Sequence, residues 1–239
     1  MKYAHIYLVL YPVIWLGLFI DGKSIANIYP NSQVVTNILV ITAFIWIYIK
    51  SSKLIRELML WGLIVAFGGE MFFSLLLGMY SYRLNNLPLY VPFGHAIIYA
   101  SVYYLSKEPF VKKHQKLIVT ILYWSMIVYS IFWLIFANDV FGFLCMVVIL
   151  LLFKHRYYSD SVLFFLIMFF TIVYLELLGT YYGCWSWPKI WFDKIEFIPS
   201  ANPPSGISVF YFAFDLGCLW FYKKFNKNRW KKAKEELRS

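Results

Sequence analysis

Residues 58–82 read LMLWGLIVAFGGEMFFSLLLGMYSY. Within them, Leu58–Gly78 is one apolar run with a single charge, Glu70, and it leads into the triplet Tyr80-Ser81-Tyr82. About 20 apolar residues in a helix cross a bilayer core of ~30 Å, so this run is long enough to span. Seven more runs flank it: Ala4–Ile20, Gln33–Ile49, Tyr90–Leu105, Leu117–Phe136, Val140–Phe153, Ser161–Tyr182 and Ser205–Tyr222. Turn signals separate them, among them Asp21-Gly22, Asn85-Asn86, Asn138-Asp139 and Asn202-Pro203-Pro204. The expectation is an all-α, polytopic integral membrane protein of eight transmembrane helices. It has one transmembrane domain over residues 1–222 and a basic tail over 223–239. Val140–Phe153 barely crosses, and a re-entrant segment is its alternative.

Composition agrees with a membrane solvent. The 239 residues are 62% hydrophobic, 22% aromatic and only 14% charged. Soluble domains carry roughly 25% charged residues, and the charge here is too sparse to cover a water-soluble surface. Disordered, collagenous and disulfide-scaffold chains are excluded by the same figures. The net charge of +10 is concentrated at the carboxy terminus, where residues 223–239 read KKFNKNRWKKAKEELRS. Such a juxtamembrane cluster suits anionic lipid headgroups, and no nucleic-acid partner is expected. Cys145, Cys184 and Cys218 form no C-x-x-C pair and imply neither a disulfide framework nor a zinc site.

With the amino terminus cytoplasmic, 18 of the 22 basic residues fall on cytoplasmic segments; Lys23, Arg83, Lys189 and Lys194 fall outside. This positive-inside bias predicts both termini in the cytoplasm, in a bacterial inner membrane. Lys2, the first apolar run and Ser24-Ile25-Ala26 could pass for a signal peptide. Asp21 and the lack of small residues before it argue against removal.

The third and seventh runs are alike. Glu70 precedes Gly78, Tyr80-Ser81-Tyr82 and Pro88; Glu176 precedes Gly183, Trp185-Ser186-Trp187 and Pro188. The next helices open on Pro92-Phe93-Gly94 and Pro204-Ser205-Gly206. A parallel repeat of four plus four helices, residues 1–110 and 111–222, accounts for this, and such repeats place a shared site at their interface.

At 1.5 Å per residue, Glu70, Glu176, Asp215 and His95 all lie roughly 8–15 Å below the outer ends of their helices. An unpaired charge there costs at least ~2.5–3.5 kcal/mol, which makes a functional reading the default. Packing through interhelical hydrogen bonds is the alternative. Tyr80, Tyr82, Arg83, Trp185 and Trp187 cap the region, and Tyr99 shares a helix face with His95. They are candidate substrate contacts, or members of an interfacial aromatic belt. Ser208, Tyr211 and Asp215 share a face of the last helix. No phosphate loop, H-E-x-x-H, G-x-S-x-G or histidine-box motif is present. One histidine among three carboxylates is a sparse metal set, so neither metal nor cofactor is expected, although a metal among these four stays open.

Glu70, Tyr80-Ser81-Tyr82 and Pro88 leading into a helix resemble the membrane carotenoid-hydratase family of carotenoid biosynthesis. The resemblance covers residues 68–95 and, more loosely, 176–187. It departs at 87–95 and 202–206, which look more like other multi-spanning bacterial membrane proteins. The resemblance implies water addition to, or proton-initiated chemistry on, an isoprenoid double bond. The residues permit it: alkene protonation needs an acid held protonated by desolvation, and aromatic faces stabilise the cation. A second carboxylate then orients or deprotonates water. Glu70 and Glu176 are the expected acid/base pair, with Asp215 and His95 as orienting groups, acting on a lipid or isoprenoid. The rival readings are a proton-coupled carrier using the same carboxylates as a relay and a non-catalytic membrane subunit.

Overall fold

The computed structural model describes residues 2–154 and 159–238, apart from the Arg238 side chain. Arg156, counted above among the cytoplasmic charges, lies outside the described residues. The protein is 76% helical with almost no sheet. A turn of helix at Ala4–Tyr7 steps into α1 (Leu10–Asp21), followed by α2 (Ser32–Lys50), α3 (Lys53–Glu70), α4 (Tyr90–Ser106) and α5 (Gln115–Ala137). Then come α6 (Val140–Phe153), α7 (Asp160–Tyr182), α8 (Ser208–Phe225) and α9 (Lys227–Arg238). Each apolar run of the sequence is therefore helical.

Among the described residues, five helical stretches are long and apolar enough to cross a membrane: Ala4–Asp21, Ser32–Lys50, Lys53–Leu76, Gln115–Ala137 and Asp160–Tyr182. The other three runs are helical but shorter or more polar. Helix α6 has 14 residues, α4 has 17, and α8 carries Asp215, Lys223 and Lys224. Helix α5 buries little beyond Val119, Met126 and Ser130 and leaves Val128, Ile135 and Phe136 outward. An apolar surface of that extent needs an apolar solvent.

Short polar side chains start several helices. Ser52, Asp139 and Ser159 accept from Ile55 N, Gly142 N and Val162 N at 3.4, 3.1 and 3.3 Å, satisfying first-turn donors. Beyond Glu70, α3 widens into a π-turn over Met71–Leu76, where Leu77 N donates to the Phe72 carbonyl. Single π-turns of this kind accommodate an extra residue within a helix.

The connections gather at two ends. At one, Lys2 N and Tyr3 N donate to the Glu108 carboxylate at 3.0 and 2.6 Å, and Lys112 pairs with Asp160. The basic carboxy-terminal segment is helical over α9 and is docked at this end. Ser52 Oγ donates to Glu236 at 2.7 Å, Lys107 Nζ to the Leu237 carbonyl, and Arg229 pairs with Glu57. The reason is spacing, since Trp230, Ala233 and Leu237 form an apolar stripe on an otherwise basic helix.

At the opposite end lie two antiparallel strand pairs. Strand β1 (Ser81–Tyr82) pairs with β2 (Trp185–Ser186), and β3 (Ile190–Trp191) with β4 (Ile195–Pro199). Buried Asp139 accepts from the backbone of Gly142, Ala201 and Ser205, tying the loop before α8 to the start of α6.

Candidate functional site

The β1–β2 register pairs Ser81 with Ser186 and Tyr82 with Trp185. Tyr80 and Trp187 are then brought into contact, their ring centroids 4.5 Å apart and the planes tilted by 40°. The two aromatic-Ser-aromatic triplets thus cross at their serines, and each turns its rings back on the carboxylate of its own helix.

Glu70 ends α3 and is 4% exposed. Its Oε2 accepts from the hydroxyls of Tyr80, at 2.5 Å, and Tyr82, at 2.6 Å. Its Oε1 lies 3.0 Å from His95 Nε2, which α4 supplies. Glu176, in α7, is 3% exposed. Its Oε2 accepts from the indole N–H groups of Trp185 and Trp187 at 2.8 and 3.1 Å, and its Oε1 from the Tyr211 hydroxyl at 3.2 Å. Each carboxylate therefore has three hydrogen-bond partners: two from its own triplet and one from a following helix. His95 stacks on Tyr211, 4.6 Å between centroids and 20° from parallel, and so links the two sets.

Local sequence explains the matching geometry. A glycine with positive φ ends each helix, Gly78 at +63° and Gly183 at +71°, and the triplet begins two residues later. Glycine takes that conformation without the Cβ penalty. Glu70 and Gly78 are eight residues apart, Glu176 and Gly183 seven. The π-turn at Met71–Leu76 absorbs the extra residue. Gly179 admits the Trp185 indole, for any Cβ there would overlap the ring.

Burial first, then the neighbouring Glu70 charge, push the Tyr80 and Tyr82 phenols well above their ordinary value of 10.0. They are neutral donors across the physiological range.

The two sets line one chamber. An apolar arm runs from it along α1, α2 and α4, past Val13, Ile14, Gly17, Val40 and Gly94. The room inside for water-sized spheres is about 80 Å³, several times the ~10–15 Å³ one water needs.

Of the residues singled out in the sequence, Glu70, Glu176, His95, Tyr80, Tyr82, Trp185 and Trp187 meet at this chamber. Asp215, Tyr99 and Arg83 are not on its wall. Asp215 lies one turn below Tyr211, 8% exposed, its Oδ2 buried without a hydrogen-bond partner among the described residues. Tyr99 packs edge-on against Phe164. Arg83 pairs at 2.6 Å with Asp21, whose other oxygen accepts from Tyr90 at 2.8 Å. Charge neutralisation draws Arg83 there, because the Asp21 side chain is wholly buried.

Tyr211 is the site residue that the sequence reading left as a face neighbour of Asp215. Asp21 stood there as a turn signal and as a mark against signal-peptide removal, although a lone cation in the 83 loop called for a counter-ion. Asn202 accepts from Trp187 N at 2.9 Å and holds β2 against the loop before α8, a tie that no local motif announces. No group of three or more His, Cys, Asp or Glu among the described residues is placed to share a metal ion.

No family profile, curated protein or solved structure matches this chain.

Proposed function

We propose that this protein is a membrane-embedded enzyme that performs carboxylate acid/base chemistry on a lipophilic isoprenoid or lipid substrate. One observation carries the reading: two buried carboxylates share one chamber with an apolar arm, each within hydrogen-bond reach of groups that can hold or guide a proton. In the proposed reaction a neutral carboxyl of the pair protonates a double bond. Its O–H bond breaks, a C–H bond forms from the π pair, and a carboxylate faces the resulting cation. Water then adds as the second carboxylate takes its proton, or a neighbouring C–H proton leaves to shift the double bond. Tyr80, Tyr82 and His95 orient Glu70; Trp185, Trp187 and Tyr211 orient Glu176. The likeness of residues 68–95 to carotenoid hydratases supplies the substrate class.

The proposal includes eight spans in a parallel four-plus-four arrangement, both termini cytoplasmic, in a bacterial inner membrane. The 18-to-4 charge split supports the orientation. Recurrent packing supports the repeat: α3 lies on α4 as α7 on α8, and α2 on α4 as α6 on α8. The basic face of α9 rests on anionic headgroups.

The test is mass spectrometry of lipid extracts from cells with and without the gene. Glu70→Gln and Glu176→Gln should each leave a folded protein and lower turnover by ~10²-fold or more, since Gln fills the same volume but delivers no proton. A lipid species should gain or lose water, or move a double bond, in a Glu70-dependent way. Unchanged lipid profiles would sink the enzyme. A substrate moved across the membrane but chemically intact would establish a carrier instead.

A further inference from the structure

We infer that the chamber is a binding site for a lipophilic organic cation: an alkylammonium, or a positive centre created on the bound chain. The inference rests on the reading that the chamber receives a lipophilic guest, and it assigns that guest a charge.

The first argument is charge balance. Glu70 and Glu176 both stand in the wall, and no Lys or Arg is among the lining residues. His95 is the one basic group there. Two carboxyl groups thus face a single imidazole, so ionisation of both leaves at least one negative charge with no protein cation beside it. Arg83, in the cap above, is committed to Asp21 and lies off the wall. The phenol and indole donors stabilise the carboxylates but bring no positive charge. A positive guest lets both carboxyls ionise, whereas an apolar neutral guest holds one of them protonated and an anion adds repulsion.

The second argument is the wall itself. Nine aromatic side chains line the chamber, including the Tyr80–Trp187 pair and both members of the Tyr82–Trp185 register pair. Ring faces attract cations, most strongly where water is excluded. Third, the arm past Val13, Val40 and Gly94 offers an apolar berth for a slender chain next to the charged end. Carboxylates, aromatic faces and an apolar arm together match an amphiphile whose charged end is positive. A permanent ammonium and a cation formed by protonating an alkene share this chemistry.

The full-length protein in phosphatidylcholine nanodiscs is titrated by equilibrium dialysis with decyltrimethylammonium, decyl sulfate and decanol, against empty nanodiscs. Saturable decyltrimethylammonium binding, about tenfold or more tighter than either comparator, is expected. Combining Glu70→Gln with Glu176→Gln should weaken it about tenfold, and Trp187→Leu, which keeps both carboxylates, by roughly two- to fivefold. Equal or tighter binding of the sulfate or the alcohol overturns the inference. So does cation binding indifferent to both substitutions. Should the double variant fail to fold, the three probes on the unmodified protein still decide. Selective cation binding with an unchanged lipid profile keeps this site, its cation a permanent ammonium, and removes the enzyme. A Glu70-dependent lipid change with selective cation binding keeps both and identifies the positive centre as one formed on the chain. A Glu70-dependent lipid change without cation selectivity does the reverse of the first case.

Discussion

The two carboxylates are held by the same device built from different side chains. Around Glu70 the partners are two phenols and an imidazole; around Glu176 they are two indoles and one phenol. A phenol or an imidazole can donate or accept, whereas an indole N–H only donates. Oε2 of Glu176, facing two indoles, can therefore only accept, while the surroundings of Glu70 can reorganise around either protonation state. The backbones differ in step with the side chains. The Glu70 side carries one extra residue and a π-turn, while the Glu176 side is a regular helix into which Trp185 is pressed at Gly179. The first half is the adaptable one and the second the rigid one.

Four measurements would break or sharpen that contrast. The largest effect belongs to single-residue deletions. Removing Leu178 rotates everything beyond it by about 100° and should abolish monodisperse protein on size exclusion. Removing Leu75 converts the π-turn to α-helix, gives the first half the seven-residue spacing of the second, and should leave a folded protein. Equal damage from both deletions would end the argument that the π-turn absorbs an insertion.

Next comes steric room. Gly179→Ala drives a methyl into the Trp185 ring and should cost about 1–3 kcal/mol in a denaturant titration. Gly68→Ala, two residues before Glu70, meets no neighbouring segment within 4 Å and should leave stability unchanged or raise it by up to ~1 kcal/mol.

Third, Trp185→Phe leaves Glu176 Oε2 with the Trp187 indole alone, on a side with little room to readjust, and should cost about 1.5–3 kcal/mol. Tyr82→Phe leaves Tyr80 and His95 free to readjust and should cost about 0.5–1.5 kcal/mol. A reversed order would make the Glu70 side the rigid one.

The smallest effect is that of pH, which should be absent near neutrality for the Tyr80–Tyr82 pair. Both phenols have folded-state values raised above 10.0. Their contribution is thus complete below pH 10 and is lost as pH rises through the folded-state values. Alkaline unfolding followed by tyrosinate absorbance should set in at higher pH when Tyr80→Phe and Tyr82→Phe are combined. An unshifted onset would show that these phenols do not govern the alkaline limit.

Local properties were legible in the chain itself. Hydropathy by itself determined that the eight runs are helical, because in lipid each backbone group must be satisfied within its own segment. It also set Glu70 and Glu176 apart, since a carboxylate inside an apolar run is costly wherever the helix happens to face. Only the tertiary structure decided which partners those charges meet. Arg83 was drawn to Asp21 and away from the carboxylates because the buried Asp21 demanded a counter-ion. Tyr211, and not Asp215 on the same face one turn away, reached Glu176, because the packing of α8 on α7 sets the height at which the two helices meet. The docking of α9 and the crossing of Tyr80-Ser81-Tyr82 with Trp185-Ser186-Trp187 join segments more than 100 residues apart. Sequence spacing carries such contacts no further than the helix face, because which face meets which neighbour is settled by the close packing of all the helices together.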